Sequence, residues 1–507
     1  MSLTRRIAIA LIAVTFPLSA QKAKDQSATI DAYIAKGMTD WHIPGLSIAI
    51  VKDGAVVYVK GHGVRERGKP ATVDTRTLFG MMSTTKAITA MAIAILVDEG
   101  KLGWKDPVTK WLPTFTLQDP WMQRELTVED LLTHNAGLPN ADLLWGRGDL
   151  SLDEILRRVR YLAPAYSMRS GFIYNNVAYG AAGAVVAAAS GMSWEDFVER
   201  RIFRPAGMTR SYATLAHMKA ANDANVSAAH WEFDDGRITT VREVEVDPVP
   251  AAGAAWSTAE DVATYLRFLL DSTKVNGTRV VSDSNFRRLF APHAFVGLDE
   301  FYPTAKLTQP HWMTYGLGWF QQDYRGMMVQ MHTGSIDGRT AITALVPDSR
   351  LGVYIFGNLD HAEFRHALMW KVIDLYTGGP SRDWSAEFLT LYGDATKRAR
   401  EARAAAEQRR VAGTSPSLAL SAYAGRYTHP AWGDLVIALD GSTLRATLGI
   451  GPENTGTLTH WNYDTFRAVF GDGRSGSSAL RFTLDPRGRV ESVDVDGSAD
   501  YRFTRVP

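Results

Sequence analysis

One stretch limits the fold more than any other. Phe79-Gly80-Met81-Met82-Ser83-Thr84-Thr85-Lys86 runs into Ala87-Ile88-Thr89-Ala90-Met91-Ala92-Ile93-Ala94-Ile95-Leu96. Ser83 and Lys86 are three apart and share one helix face. Beyond Lys86 the run is apolar on nearly every side, which predicts a helix buried all round, so the rest of the chain must wrap it. A lysine on the first turn of such a helix has no structural use. Its use is chemical if the amine is desolvated beside a hydroxyl, because that pairing makes a nucleophile. The alternative is that Ser83 caps the helix and Lys86 snorkels to water. Ser-x-x-Lys alone does not choose, since roughly one or two arise by chance in such a chain. A second, Ser19-Ala20-Gln21-Lys22, stands near the N-terminus.

The chain is long enough, at 507 residues, to need more than one core. Its 55 basic and 54 acidic residues balance to +1, so neither a nucleic acid nor an acidic membrane is favoured as a partner. The chain has no cysteine, which removes disulfides, thiolate nucleophiles and cysteine metal sites. The histidines show no metal spacing: His361 and His366 are five apart and do not share a helix face. No metal or cofactor is expected. Arg5-Arg6, an apolar run over 7–16 and Pro17-Leu18-Ser19-Ala20 read as an export signal cut after Ala20. The expected product is periplasmic or secreted, with no stable membrane span. An uncleaved anchor is the alternative.

In chain order, a helix over 27–36 is closed by Gly37, and two β-branched runs flank Lys52-Asp53-Gly54, a strong hairpin signal. From about 101 to 249 the pattern is mainly helix and loop, including a small-residue helix over 178–190 and an amphipathic one over 259–270. Strands return at 327–331, 340–346 and 351–356, and a last helix covers about 362–376. The simplest arrangement pairs the strands from both ends in one antiparallel sheet, with the helical middle inserted beside it. A charged helix and linker occupy 381–416, and about seven short strands in 417–507 predict a small all-β barrel or sandwich. The fold class is thus α/β (α+β) with a C-terminal β domain.

Two further motifs accompany Ser83 and Lys86. Tyr174-Asn175-Asn176 follows Gly171, and His332-Thr333-Gly334-Ser335 ends a strand. Each alone is weak, since a tyrosine or histidine is usually a packing residue. Their order and spacing along one chain lift the set. The set resembles the serine β-lactamase and penicillin-binding-protein superfamily, in the branch of class C β-lactamases, D-alanyl-D-alanine carboxypeptidases, D-aminopeptidases and related esterases. Leu132-Thr133-His134-Asn135-Ala136-Gly137-Leu138-Pro139, Phe203-Arg204-Pro205-Ala206-Gly207-Met208 and Tyr315-Gly316-Leu317-Gly318-Trp319 extend the likeness over about 21–380. The tail resembles the lipocalin-like domain of some of these peptidases.

The resemblance implies an antiparallel sheet flanked by helices with a helical subdomain. It also implies Ser83 as acylated nucleophile, Lys86 as the amine that deprotonates it, and Tyr174 as acid/base with its phenolate favoured by the ammonium. Asn176 would orient Lys86 and the substrate amide. His332, Thr333, Gly334 and Ser335 would bind an extended substrate, with the Ser83 and Ser335 amides as oxyanion hole. The departure is His332, where β-lactamases carry lysine. A histidine is only partly charged near neutrality and suits a penicillin carboxylate less well. The expected function is therefore an exported serine hydrolase of peptide-like amides, including those with D- or unusual residues, or of esters. A β-lactamase proper and a non-catalytic penicillin-binding-type protein are the alternatives. His134 is expected to be structural. Loops over 142–149 and 295–307, with Trp145, Phe301, Tyr302 and Trp312, either line a cleft or pack on the surface. Small molecules or peptides are the only partners implied, and the oligomeric state is open.

Overall fold

A computed structural model describes residues 25–275, 277–298, 302–474 and 476–507. The export signal over 1–20 and Phe301 lie outside the described residues. The hydrolase core is an eight-stranded antiparallel sheet. Its strands are β1 (Gly45–Lys52), β2 (Ala55–Gly63), β3 (Ala294–Val296), β4 (Met313–Tyr315), β5 (Phe320–Tyr324), β6 (Met327–Ile336), β7 (Arg339–Val346) and β8 (Leu351–Gly357). They lie in the order β2-β1-β8-β7-β6-β5-β4-β3. The two ends of the region do meet: β1 pairs with β8 from Leu46↔Gly357 to Lys52↔Leu351. The hairpin between β1 and β2 turns at Asp53 and Gly54, both with positive φ, which matches the twist of the flanking strands. Strands β1, β7 and β8 are buried along nearly their whole length and read as continuous apolar runs, because helices cover both sheet faces.

Helices α1 (Ser27–Asp40), α2 (Thr85–Asp98), α3 (Asn176–Ser190), α4 (Ala259–Leu270), α5 (Phe364–Thr377) and α6 (Trp384–Gln408) are the main helical elements. Ile30 and Ile34 of α1 and Phe364 and Trp370 of α5 pack on one sheet face, while α2 and α4 share the core on the other. Helix α1 does not stop at Gly37 as expected. It runs on to Asp40, and the absent side chain of Gly37 makes room for the Phe364 ring. Helix α2 is buried over its length, from Thr85 to Leu96, as its apolar run requires. Among the described residues no single helix is long and apolar enough to cross a membrane.

Strand β6 carries His332 to Ser335 at its end, as expected, and closes at Ile336. Its pairing with β5 ends at Phe320↔Met331, whereas its pairing with β7 continues to Ile336↔Arg339. Residues 332–336 are therefore paired to strand on one side only.

The C-terminal region is a closed antiparallel barrel of eight consecutive strands. These are β9 (Gly425–His429), β10 (Gly433–Asp440), β11 (Thr443–Leu448), β12 (Thr455–Asn462), β13 (Thr465–Phe470), β14 (Ser478–Leu484), β15 (Val490–Val495) and β16 (Arg502–Arg505). The strand missing from the expected seven is β9, a five-residue segment between a glycine and Pro430 with little alternation to mark it. Alternate side chains such as Leu435, Ile437, Phe466, Phe482 and Phe503 fill the interior, as in other small barrels.

Candidate active site

The approach to α2 carries the strain expected of a built site. Met82, immediately before Ser83, has φ of 49°, a conformation that side-chain-bearing residues rarely adopt. A short 3₁₀ turn, Met82–Thr84, then feeds the helix. Ser83 is half-buried and Lys86 is fully buried. The Lys86 Nζ lies 2.7 Å from Asn176 Oδ1, 2.7 Å from the Ala252 carbonyl and 3.2 Å from Ser83 Oγ. Burial pulls its pKa down to about 7, with Asp142 partly opposing the fall. A neutral amine has two N–H groups and one lone pair. The two carbonyl oxygens take the two N–H groups, and the lone pair is left for the Ser83 hydroxyl proton. The snorkelling alternative is excluded by this burial.

The Ala252 carbonyl reaches the lysine because α3 is glycine-marked. A side chain at Gly183 would collide with Ala251, so only glycine lets the segment Pro250–Gly253 lie this close. Thr89 Oγ1 donates to the Ala251 carbonyl at 2.7 Å and fixes the same segment to α2.

Tyr174 is half-buried and shares a hydrogen bond with Ser83. Burial drives its phenol well above the ordinary value. The expectation of a phenolate favoured by a neighbouring ammonium is therefore corrected. Desolvation outweighs the Ser83 hydrogen bond that would favour the phenolate, and Lys86 is itself close to neutral, so Tyr174 is a neutral O–H. The Lys86 Nζ lies 4.6 Å from the centroid of the Tyr174 ring. The imidazole of His134 stacks on Tyr174 at 4.2 Å between centroids and accepts the Asn175 N–H at Nδ1 (3.0 Å). That bond puts the His134 proton on Nε2 and keeps the ring neutral, as burial also demands. His134 thus holds the loop that presents Tyr174.

Asn176 does orient Lys86, and it is oriented in turn. Its Nδ2 donates to Asp142 Oδ1 at 3.0 Å. The same oxygen accepts the Trp145 indole N–H at 2.8 Å. Asp142 sits on a short helix, Asp142–Gly146, and no motif in the sequence marks it.

On the opposite side, β6 presses against the start of α2. A Cβ on Gly334 would sit 2.9 Å from the Ser83 amide nitrogen and 2.6 Å from Met82 Cβ, so only glycine allows this contact. Ser335 follows at the half-buried end of the strand. His332 is fully buried: its Nδ1 donates to the Thr333 carbonyl at 2.6 Å and its Nε2 accepts from Tyr315 Oη at 3.0 Å. Burial, with Lys86 nearby, lowers its pKa to about 3, so the ring is neutral rather than partly charged. Thr333 Oγ1 bonds to Tyr302 Oη. The strand is clamped from behind by Arg365, which donates to the Gly334 carbonyl and, at 2.7 Å, to Ser335 Oγ. Glu363 accepts from Arg365 Nε and Nη2 and from the His366 Nδ1–H, and against its burial the Arg365 guanidinium, helped by His366, holds its pKa down to about 2. This buried cluster joins the start of α5 to a strand thirty positions earlier, and no local pattern could have revealed it.

All eight residues singled out from the sequence meet here, around one half-open serine. Comparison with known proteins agrees with the geometry. The family model described as Beta-lactamase matches residues 30–377, more than half of the chain, and one described as a domain of unknown function (DUF3471) matches residues 409–506. Unguisins hydrolase ungD' of Aspergillus campestris is 29% identical over 451 residues, covering 83% of this chain and 80% of that protein. The octameric penicillin-binding protein homologue from Pyrococcus abyssi aligns with a TM-score of 0.61 at 23% identity, over 94% of this chain and 99% of that one. The penicillin binding protein from Bacillus halodurans gives 0.56 at 23% identity over 68% of this chain and 98% of that one.

Proposed function

This chain belongs to the Beta-lactamase family and is a serine hydrolase, and from that premise we propose that it cleaves peptide-like amides or esters through an acyl-enzyme on Ser83. The observation that carries the reading is Lys86, buried, near neutral, with its lone pair facing the Ser83 hydroxyl. In acylation Lys86 takes the Ser83 proton as Oγ adds to the substrate carbonyl. The amides of Ser83 and Ser335, brought together by Gly334, receive the oxyanion. As the carbon–leaving-group bond breaks, the neutral Tyr174 gives its proton to the departing nitrogen or oxygen, and the Lys86 ammonium then returns a proton to the phenolate, since the acylated Ser83 oxygen carries none. Water then repeats the sequence on the acyl-enzyme.

An extended substrate fits the strand edge at 332–336, which is paired on one side only, by main-chain hydrogen bonds. A peptide-like substrate is supported by the relative named for hydrolysing unguisins. Penicillin hydrolysis is less well supported. Neutral His332 supplies no charge for a carboxylate, and the charge of Arg365 is spent on Glu363. The Arg5-Arg6 and 7–16 pattern supports export to the periplasm or medium.

Intact mass after incubation with a small fluorophosphonate tests the reading. A single adduct is expected on the wild type and none on Ser83→Ala, whose melting temperature stays within about a degree because the half-exposed hydroxyl caps nothing. No adduct on folded wild type refutes the mechanism.

A further inference from the structure

The active-site cleft does not end at Ser335. A cavity of about 530 Å³ continues from Ser335 and Ile336 to the barrel, and its far wall is the loop over 449–454. That loop is built into the hydrolase region. Ile450 N donates to the Arg147 carbonyl at 2.9 Å, and Asn454 Nδ2 donates to the carbonyls of Gly146 (3.2 Å) and Arg147 (3.1 Å). Gly449 has φ of 93°, and a Cβ there would lie 2.4 Å from the Arg147 oxygen, so the contact needs glycine.

The charged groups of the cavity are already paired. Arg242 meets Glu453 at 3.1 Å, Arg474 meets Asp337 at 3.0 Å, Lys219 meets Glu245 at 3.6 Å, and Arg339 meets Glu243. Besides these paired groups, and the buried Nη1 of Arg474, which has no hydrogen-bond partner, what the cavity offers a ligand is apolar: Trp145, Val244 and Ile336 from the hydrolase region and Ile450 from the barrel. Ile450 is 57% exposed, an exposure that costs free energy unless something covers it. Trp145 is fixed by its bond to Asp142, the residue that also holds Asn176.

We propose that this cavity is a specificity subsite, shared between barrel and hydrolase region, which takes an apolar side chain of the peptide-like substrate against Ile450 and Trp145. The inference rests on the hydrolase reading above and goes beyond it by giving the barrel a part in substrate choice. Its test measures binding without turnover. Acetyl-tetra-alanine amide and the four peptides with a single Ala→Leu change are titrated by calorimetry into Ser83→Ala protein. One leucine position is expected to bind about tenfold tighter than tetra-alanine, the size of a half-buried leucine side chain. The same gain is lost in Ser83→Ala/Ile450→Asp and reduced in Ser83→Ala/Ile450→Ala, with circular dichroism verifying that both fold. If the aspartate variant does not fold, the alanine variant decides. No gain at any position, or a gain that survives both substitutions, overturns the subsite. A leucine gain in Ser83→Ala protein, beside a folded wild type that fluorophosphonate fails to label, would sink the hydrolase mechanism and leave the subsite standing. Labelling without a leucine gain would do the reverse.

Discussion

Replacing Asp142 by asparagine isolates its charge from its geometry. Both the Asn176 N–H and the Trp145 N–H reach Asp142 Oδ1, so an asparagine oxygen can accept the same two bonds. What disappears is a carboxylate near the Lys86 ammonium. The two hydrogen bonds, 2.7 Å and 3.0 Å, are separated by one amide group, which places the charges about 7 Å apart. At an effective dielectric of about 20 to 40 that separation is worth about 1 to 2.5 kcal/mol. The Lys86 pKa, about 7 in the wild type, should fall by about one to two pH units. Lys86 acts in its neutral form, so the acidic limb of the acylation rate moves down with it. Measured as fluorophosphonate labelling between pH 5 and 9, the wild-type midpoint should lie near 7. A fall of one unit raises the neutral fraction at pH 6 from about a tenth to about a half, so labelling there speeds up about fivefold. At pH 8.5 the two proteins should agree within about twofold. An unmoved or raised midpoint refutes the electrostatic account of Asp142. A wild-type rate still climbing about tenfold per pH unit at pH 9 would refute a base with a pKa near 7, and with it the desolvated Lys86.

Two further substitutions separate the other roles. Tyr174→Phe should lower amide or peptide turnover by about 10²- to 10⁴-fold, but labelling by a fluorophosphonate, whose fluoride needs no proton, by only about tenfold. Equal losses in the two assays would count against Tyr174 as the proton donor. Lys86→Met should abolish labelling and alter the pH dependence of stability. Lys86 has a folded pKa near 7 against an ordinary value of 10.5. The unfolded chain therefore binds more protons between those values, and wild-type stability rises with pH across that window. The difference in stability between Lys86→Met and wild type should shift by about 3 kcal/mol towards the wild type from pH 7 to 9.5. Parallel melting-temperature curves over that range would show that Lys86 is not desolvated as described.

The sequence made parts of this legible for physical reasons. Ser83 and Lys86 could be read because helical spacing and an all-round apolar run are local properties. Five strands of the sheet could be read because they are β-branched or apolar runs joined by recognisable turns, whereas Ala294–Val296, Met313–Tyr315 and Phe320–Tyr324 are three to five residues long and carry no such signal. Asp142 could not, since its role depends on a loop closing onto Asn176 from thirty-four positions away. The Glu363–Arg365 clamp was hidden for the same reason. The ionisation states of Tyr174 and His332 depend on burial, which a one-dimensional pattern does not carry. Strand β9 was too short and too irregular to stand out from its flanks.

The short helix Asp142–Gly146 links regions that the sequence keeps far apart. Its first residue holds Asn176, which holds Lys86. Trp145 faces the cavity, and the carbonyls of Gly146 and Arg147 carry the barrel loop. Arg147 is itself buried, with its guanidinium shared between Asp149 and the Trp432 carbonyl of the barrel. A buried guanidinium deprived of an acceptor carries a penalty of a few kcal/mol, so the barrel is energetically tied to this helix rather than hung beside it. Lys86 tolerates little displacement, because the two acceptors at 2.7 Å fix the direction of its lone pair towards Ser83. The barrel therefore supports, through Arg147, Asp142 and Asn176, the geometry that makes Ser83 a nucleophile, and through Ile450 it walls the cavity that opens beside Ser335.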